Sequence, residues 1–482
     1  MRQTPESATH LTGLAELRAI QTRRTFLRGA TGGVGLAALA SLLSGTRSQA
    51  APQSPGVVSP LHFRPRAKRV IFLFMQGGPS HVDTFDYKPE LQARDGQSID
   101  FTGVRFGTFG KQSQRRLLKP LWDFRQYGES GQWVSELFPH QARIVDRLCF
   151  LHGMHTEGVA HGPSTLFMHT GATNLVRPSL GSWISYGIGT ENQDMPAFVT
   201  LLPSATKGGP RNYASAFLPA VHQGTPIGAA GQPARDARVR HLQGADREQI
   251  ELQRALARLQ RAEHGADDRL DAELSAFDLA DRMQRFAPGV LDLSDESAAT
   301  LAHYGVDEKP TDDFARQCIM ARRLCEAGVR FVQVNYADES ANPRWDQHSN
   351  MPAHAKHARA TDKPVAALVE DLEARGLLED TLVWWGGEFG RTPFAQGKDG
   401  RDHNPRGFTI WLAGAGVKAG HAHGATDEIG HEAVEGKVHM RDLHATILHM
   451  LGLDHERLTY RWSGRDFRLT DVEGHVVHEI FA

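Results

Sequence analysis

The chain has 482 residues, 40% of them hydrophobic and 23% charged. That composition excludes a collagen, a disordered protein and a multi-span membrane protein, and the length suits one large α/β domain with insertions or two to three smaller ones. The formal net charge is −2, and the first fifty residues hold six Arg and two Glu, so the remainder carries −6. An acidic body is a poor match to nucleic acid, whose phosphates call for a basic surface. Histidine is the outlier, with 25 residues that cluster rather than spread.

In chain order, residues 1–50 read as an address. Arg23-Arg24 precedes a Gly- and Ala-rich apolar run, Gly29 to Leu43, and Ser48-Gln49-Ala50 follows as a small-residue cleavage site. Paired arginines before a weakly apolar stretch resemble a bacterial twin-arginine export signal, and the run is too short to span a bilayer stably. The expected partner is the twin-arginine export machinery, and the expected location periplasmic or extracellular. Residues 51–67 are Pro-rich and polar, a linker. Val70–Met75 is an unbroken apolar run that stops at Gly77-Gly78-Pro79, which fits a strand buried on both faces of a parallel sheet. Similar runs follow at Leu148–Leu151, Phe198–Leu202, Phe331–Val334, Thr381–Trp385 and Phe408–Leu412, with helical patterns at Phe314–Ala327 and Asp362–Arg375 between them. Strands alternating with helices predict a doubly wound, mainly parallel α/β sheet over 68–482, with function at the carboxyl ends of its strands. Residues 245–286 are charged and rich in Ala and Leu, the centre of a helical insertion spanning about 240–300 whose charges form a solvated face. Cys149, Cys318 and Cys325 are too few for a disulfide framework and read as buried core thiols.

Polar residues gather directly after the predicted strands. Ser80-His81-Val82-Asp83 follows the first, and His161-Gly162-Pro163-Ser164 follows the second. Trp345-Asp346-Gln347-His348 comes after the Phe331 strand, and Glu388-Phe389-Gly390-Arg391 and Arg401-Asp402-His403 come after the Thr381 strand. Imidazole and carboxylate are the ligands of divalent ions, and Asp-x-His or Asp-His pairs supply both at once. One such pair is weak, but four groups at one edge of a sheet favour a site. His421/His423 and His439/His444 are less persuasive, in a Gly-rich loop and near a helix start.

These runs are similar to a bacterial family catalogued as domain of unknown function 1501, which usually carries a twin-arginine signal and is related to sulfatases. The wider relatives are the alkaline phosphatase superfamily, metal-dependent hydrolases of phosphate and sulfate esters on an α/β sheet. The sulfatase nucleophile segment, Cys (or Ser)-x-Pro-Ser-Arg then x-x-Leu-x-Thr-Gly, resembles His161–Gly171: Pro163, Ser164, Thr170 and Gly171 match, His161 stands at the nucleophile and Thr165 at the Arg. Thr381-Leu382-Val383 and Glu388-Phe389-Gly390 resemble the late motif, with Glu388 keeping a carboxylate and Phe389 replacing its neighbouring donor. Where relatives place Asp after the first strand, this chain has Gln76-Gly77.

The resemblance implies an exported metal-dependent hydrolase of phosphate or sulfate esters, acting on a small molecule or glycan without a formylglycine nucleophile. Asp346, His348 and His403 would hold one divalent ion (Zn, Mn, Mg or Ca), with Glu388 and Asp83 completing the set or bridging to a second. Arg391 would clamp anionic oxygens, and His161 would be a general base or a ligand. Ser80, His81, Ser164 and Asp402 are further candidates. The alternative is a non-catalytic exported binding or cell-envelope protein on the same fold.

Overall fold

A computed structural model of the chain describes residues 56–100, 114–239 and 285–482, with isolated residues between 255 and 283. The expected export signal and most of the expected helical insertion lie outside the described residues. The chain divides into two compact units, and the larger, Ser48–Arg240 with Arg285–Ala482, carries the sheet and the site.

Each apolar run forms a strand, and among the described residues five further strands of the main sheet and of a hairpin beside it lie between or after these runs. In chain order these are β1 (Arg69–Met75), β2 (Leu148–His155), β3 (Phe198–Leu201), β4 (Thr225–Ile227), β5 (Phe331–Tyr336), β6 (Thr381–Gly386), β7 (Gly390–Gln396), β8 (Gly400–Asn404), β9 (Phe408–Ala413), β10 (His421–His423) and β11 (Val438–His439). The main sheet has the order β10-β2-β9-β6-β1-β5-β3-β4, with β11 also paired to β2. β1 lies at its centre, parallel to both β6 and β5, and every one of its residues is buried. Only β9 runs against the rest, antiparallel to β6 and β2. The sheet is therefore mainly parallel, as the continuous apolar runs predict.

Helices α1 (His161–Thr170), α2 (Leu180–Ile188) and α3 (Met440–Met450) cover one face, where Phe167, Leu180, Trp183 and Leu443 meet Val70, Phe72, Phe74, Leu382 and Trp384 in one buried cluster. Alternate residues of β1, Ile71 and Leu73, are fully buried on the other side. The long helices Asp312–Glu326 and His354–Ala374 pack against each other, and the former against β5.

Two strands lie where the sequence shows polar clusters after the Thr381 strand. β7 and β8 form an antiparallel hairpin beside the main sheet, joined through Gly397 at φ +64°. Their polar sequence hides them, because Arg391 and Arg401 are fully buried and spend their charge on Asp346 and Asp83. At Gly400 a Cβ would lie 1.8 Å from the His348 carbonyl oxygen, so this position admits glycine only. That close approach brings the β5 loop against the hairpin.

Candidate metal centre

The carboxyl ends of β1, β2, β5 and β6 share one edge, and each sends a side chain or a backbone turn to one point. β2 leads through a short loop to His161, the first residue of α1. The loop after β5 carries Asp346 and His348, β6 ends just before Glu388, and β8 presents His403 directly opposite Arg391 of β7. One ligand atom from each of His161, Asp346, His348 and His403 lies within 4.8 Å of all the others, the single such group among the described residues.

The tautomers follow from the outer contacts. His161 Nδ1 donates to Glu388 Oε1 (2.6 Å), His403 Nδ1 donates to the Val159 carbonyl (2.7 Å), and His348 Nδ1 donates to Gln396 Oε1. Each donation leaves a lone pair on Nε2, and all three Nε2 atoms face Asp346. His348 Nε2 is 3.0 Å and His403 Nε2 3.5 Å from Oδ1, and His161 Nε2 is 3.2 Å from Oδ2 without an aligned hydrogen bond. The two Nε2 atoms of His348 and His403 are only 2.9 Å apart. Three lone pairs and a carboxylate focused on one buried point favour a positive charge there, and an oxygen behind each imidazole is the outer anchor that a metal-binding histidine needs.

Two of the protonation equilibria show the same preference. Burial opposes ionisation of Asp346, yet His161, His348, His403 and the Arg391 guanidinium outweigh it and hold the carboxyl well below the usual range. Burial likewise disfavours the His161 cation, but Asp346 and Glu388 raise its pKa. His403, where burial dominates, falls to about 4.

Several expected roles change. Asp83 is not at the centre: its carboxylate takes Arg401 Nε (2.6 Å), Ser80 Oγ (2.5 Å) and the Leu121 N–H (3.0 Å), a fully buried ion pair under the hairpin. Glu388 reaches the centre only through His161, because both its oxygens also accept from the Gly77 N–H (3.1 Å each). Arg391 is not an open anion clamp. It is completely buried and donates to the carbonyls of Gly77, Gly78 (3.0 Å) and Arg401 (3.3 Å) and to Asp346 Oδ1 (2.8 Å), so it fixes a ligand from behind. Ser80 donates its N–H to the buried His354 (3.1 Å), and His81 Nε2 donates to the Gly430 carbonyl (2.7 Å). Ser164 is fully buried in α1 with its hydroxyl against Gly158. Asp402 accepts from the His403 N–H (2.8 Å) and lies 3.9 Å from His348 Nδ1, outside the ligand ring. Sequence reasoning missed the anchors Gln396 and Val159. Gln396 ends β7, a strand its polar sequence does not reveal, and Val159 acts through its backbone, which no side-chain motif reports.

The profile of the family described as "Protein of unknown function (DUF1501)" matches residues 67–481. The chain belongs to this family. No curated protein matches it. Among solved structures, the DUF1501 chain is similar to Ps i-CgsB in complex with k-i-k-neocarrahexaose, at 12% identity and a TM-score of 0.36 over 80% of this chain and 72% of that one. It is also similar to the PsFucS1 sulfatase from Pseudoalteromonas sp. (11%, 0.34, 81% and 68%) and to a variant of TAB5 alkaline phosphatase with bound Mg (9%, 0.33, 82% and 99%). Likenesses this loose concern architecture and assign no residue of DUF1501 a role.

Proposed function

We propose that this DUF1501 protein is an exported metal-dependent hydrolase of phosphate or sulfate esters. One observation carries the reading: three imidazole Nε2 lone pairs and the Asp346 carboxylate meet at one point, with every Nδ1 anchored from behind. Asp346, His348 and His403 would hold a divalent ion, whose Lewis acidity activates water and polarises an ester oxygen. Arg391 sets the Asp346 carboxylate, and Glu388 sets the His161 ring at the fourth corner. Imidazole at position 161 cannot become formylglycine, and Ser164 is buried in α1 with its hydroxyl against Gly158, so water is the nucleophile in this reading.

A second reading, a non-catalytic binding or cell-envelope protein, is favoured by one feature. Four protein ligands saturate a tetrahedral ion, as in structural zinc sites. Metal analysis of the purified mature chain, with assays on aryl phosphate and aryl sulfate before and after chelation, separates the two. A stoichiometric divalent ion with chelator-sensitive hydrolysis is expected. A bound ion without hydrolysis, or no bound ion at all, overturns the enzyme and favours the second reading.

Export by the twin-arginine route rests on Arg23-Arg24 and the apolar run behind them. Among the described residues no helix is long and apolar enough to cross a membrane. Changing both arginines to Lys should leave full-length precursor in the cytoplasm, and continued processing would rule this route out.

A further inference from the structure

We infer that the centre is mononuclear, with His161 as a resident fourth ligand and with coordination positions left open on the His348 side, so that it takes a five- or six-coordinate ion of the Mn2+ or Fe2+ class rather than tetrahedral zinc. This rests on the metal reading above and goes beyond it in assigning His161, the ion count and the ion class.

Three observations carry it. The first is the setting of His161. A general base needs its accepting nitrogen turned toward water or substrate. His161 is 7% exposed, its Nδ1 is committed to Glu388, and its Nε2 points at Asp346 Oδ2 with no hydrogen-bond partner. A buried, unpartnered nitrogen aimed at the shared focus of three other ligands is placed to bind an ion there.

The second is the spacing. Donors about 2.1 Å from a tetrahedral ion stand about 3.4 Å apart, whereas neighbouring donors of an octahedral ion stand about 3.0 Å apart. His348 Nε2 is 2.9 Å from His403 Nε2 and 3.0 Å from Asp346 Oδ1, which matches right-angled neighbours. His403 Nε2 to Asp346 Oδ1 (3.5 Å) and His161 Nε2 to Asp346 Oδ2 (3.2 Å) are wider, so the narrow spacings meet at His348 and leave the sphere less filled there than a tetrahedron would. The side chain of His348 is 22% exposed, against 8% for His161 and 3% for Asp346 and His403, so the opening faces solvent beside His348. Three imidazoles and one carboxylate suit Mn2+ and Fe2+, which accept five or six donors.

The third is that the groups beside the centre are already committed. Both Glu388 oxygens accept the Gly77 N–H, and one of them also accepts His161 Nδ1. The Phe389 ring lies 5.0 Å from the His161 ring and 4.4 Å from the His403 ring, putting an apolar plane where a neighbouring donor would stand. Asp83 is spent on Arg401.

The test uses the mature chain stripped of metal and titrated with Co2+, whose visible absorption is intense in four-coordinate sites and weak in five- or six-coordinate ones. One Co2+ per chain with a weak spectrum is expected, and X-ray absorption of the same wild-type sample should count three imidazoles. Glu388→Gln, which keeps the fold's packing but weakens the anchor, should lower Co2+ affinity about 10–100-fold, and His161→Ala should lower it further and remove one imidazole. An intense four-coordinate spectrum, two ions per chain or two imidazoles in the wild type would overturn the inference while leaving the metal reading standing. Failure to bind Co2+, Mn2+ or Fe2+ at all would end both.

Discussion

Asp83 offers a sharp test, because its sequence position suggests a metal ligand and its surroundings give it another task. In Asp83→Asn the charge opposite Arg401 disappears while the guanidinium stays fully buried. Three carbonyls still accept from it, those of Leu118 (3.1 Å), Thr392 (3.2 Å) and Lys119 (2.9 Å), but no anion remains, and the new amide can set an N–H against the Arg401 Nε–H. Breaking a buried pair from one side costs about 3–5 kcal/mol. Unfolding entropy near 2.1 cal/mol/K per residue, over the roughly 370 residues of the folded body, gives about 0.8 kcal/mol/K, so Tm should fall by about 4–6 °C. Calorimetry reads that shift, and metal analysis of the same samples should show unchanged ion content. A variant that loses its ion while keeping its Tm would refute the reasoning and restore Asp83 to the ligand set.

Two further outcomes follow from burial. The Asp362 carboxyl, pushed up to about 7 by burial that outweighs the His140 and Gln141 N–H donors (2.8 Å each), binds its proton more tightly folded than unfolded. Its contribution to stability therefore declines as pH rises from about 4 to about 7, and Asp362→Asn should flatten that part of the stability–pH profile; an unchanged slope would show that the carboxyl titrates normally. Burial also pushes the Cys149 and Cys325 thiols up to about 12 and raises Cys318, so a disulfide reagent should label no cysteine in the native protein and three after unfolding. Rapid native labelling would contradict this.

The sequence carried the sheet because each central strand is a run of apolar residues bounded by Gly or by a polar cluster, as in Val70–Met75 and Thr381–Trp385. Asp346, His348 and His403 were legible for a related reason: residues that follow parallel strands reach the same edge. The hairpin was not legible, since Gly390–Gln396 and Gly400–Asn404 bury two arginines and alternate no apolar face. Nor could local reading sort the carboxylates. Asp83 and Arg401 are 318 positions apart, and only the folded hairpin shows that one neutralises the other. Arg391 misled in the same way, because a guanidinium after a strand reads as a clamp until its donors are seen to end on Gly77, Gly78 and Asp346.

The departure at the first strand becomes intelligible in the same terms. Position 77 has φ +112°, and a Cβ there would come within 2.7 Å of the backbone nitrogens of both Trp345 and Asp346. A carboxylate side chain at 77 would therefore push away the loop that supplies Asp346 and His348. What the position does offer is its N–H, which both Glu388 oxygens accept. That bond turns Glu388 so that it can also accept His161 Nδ1, and His161 in turn presents Nε2 to Asp346. Gly77, Glu388 and His161 thus work as one chain of contacts: the bare backbone at 77 lets the Asp346–His348 loop approach, and Glu388 fixes the His161 imidazole. A carboxylate placed at 77 would displace that loop, and with it Asp346 and His348.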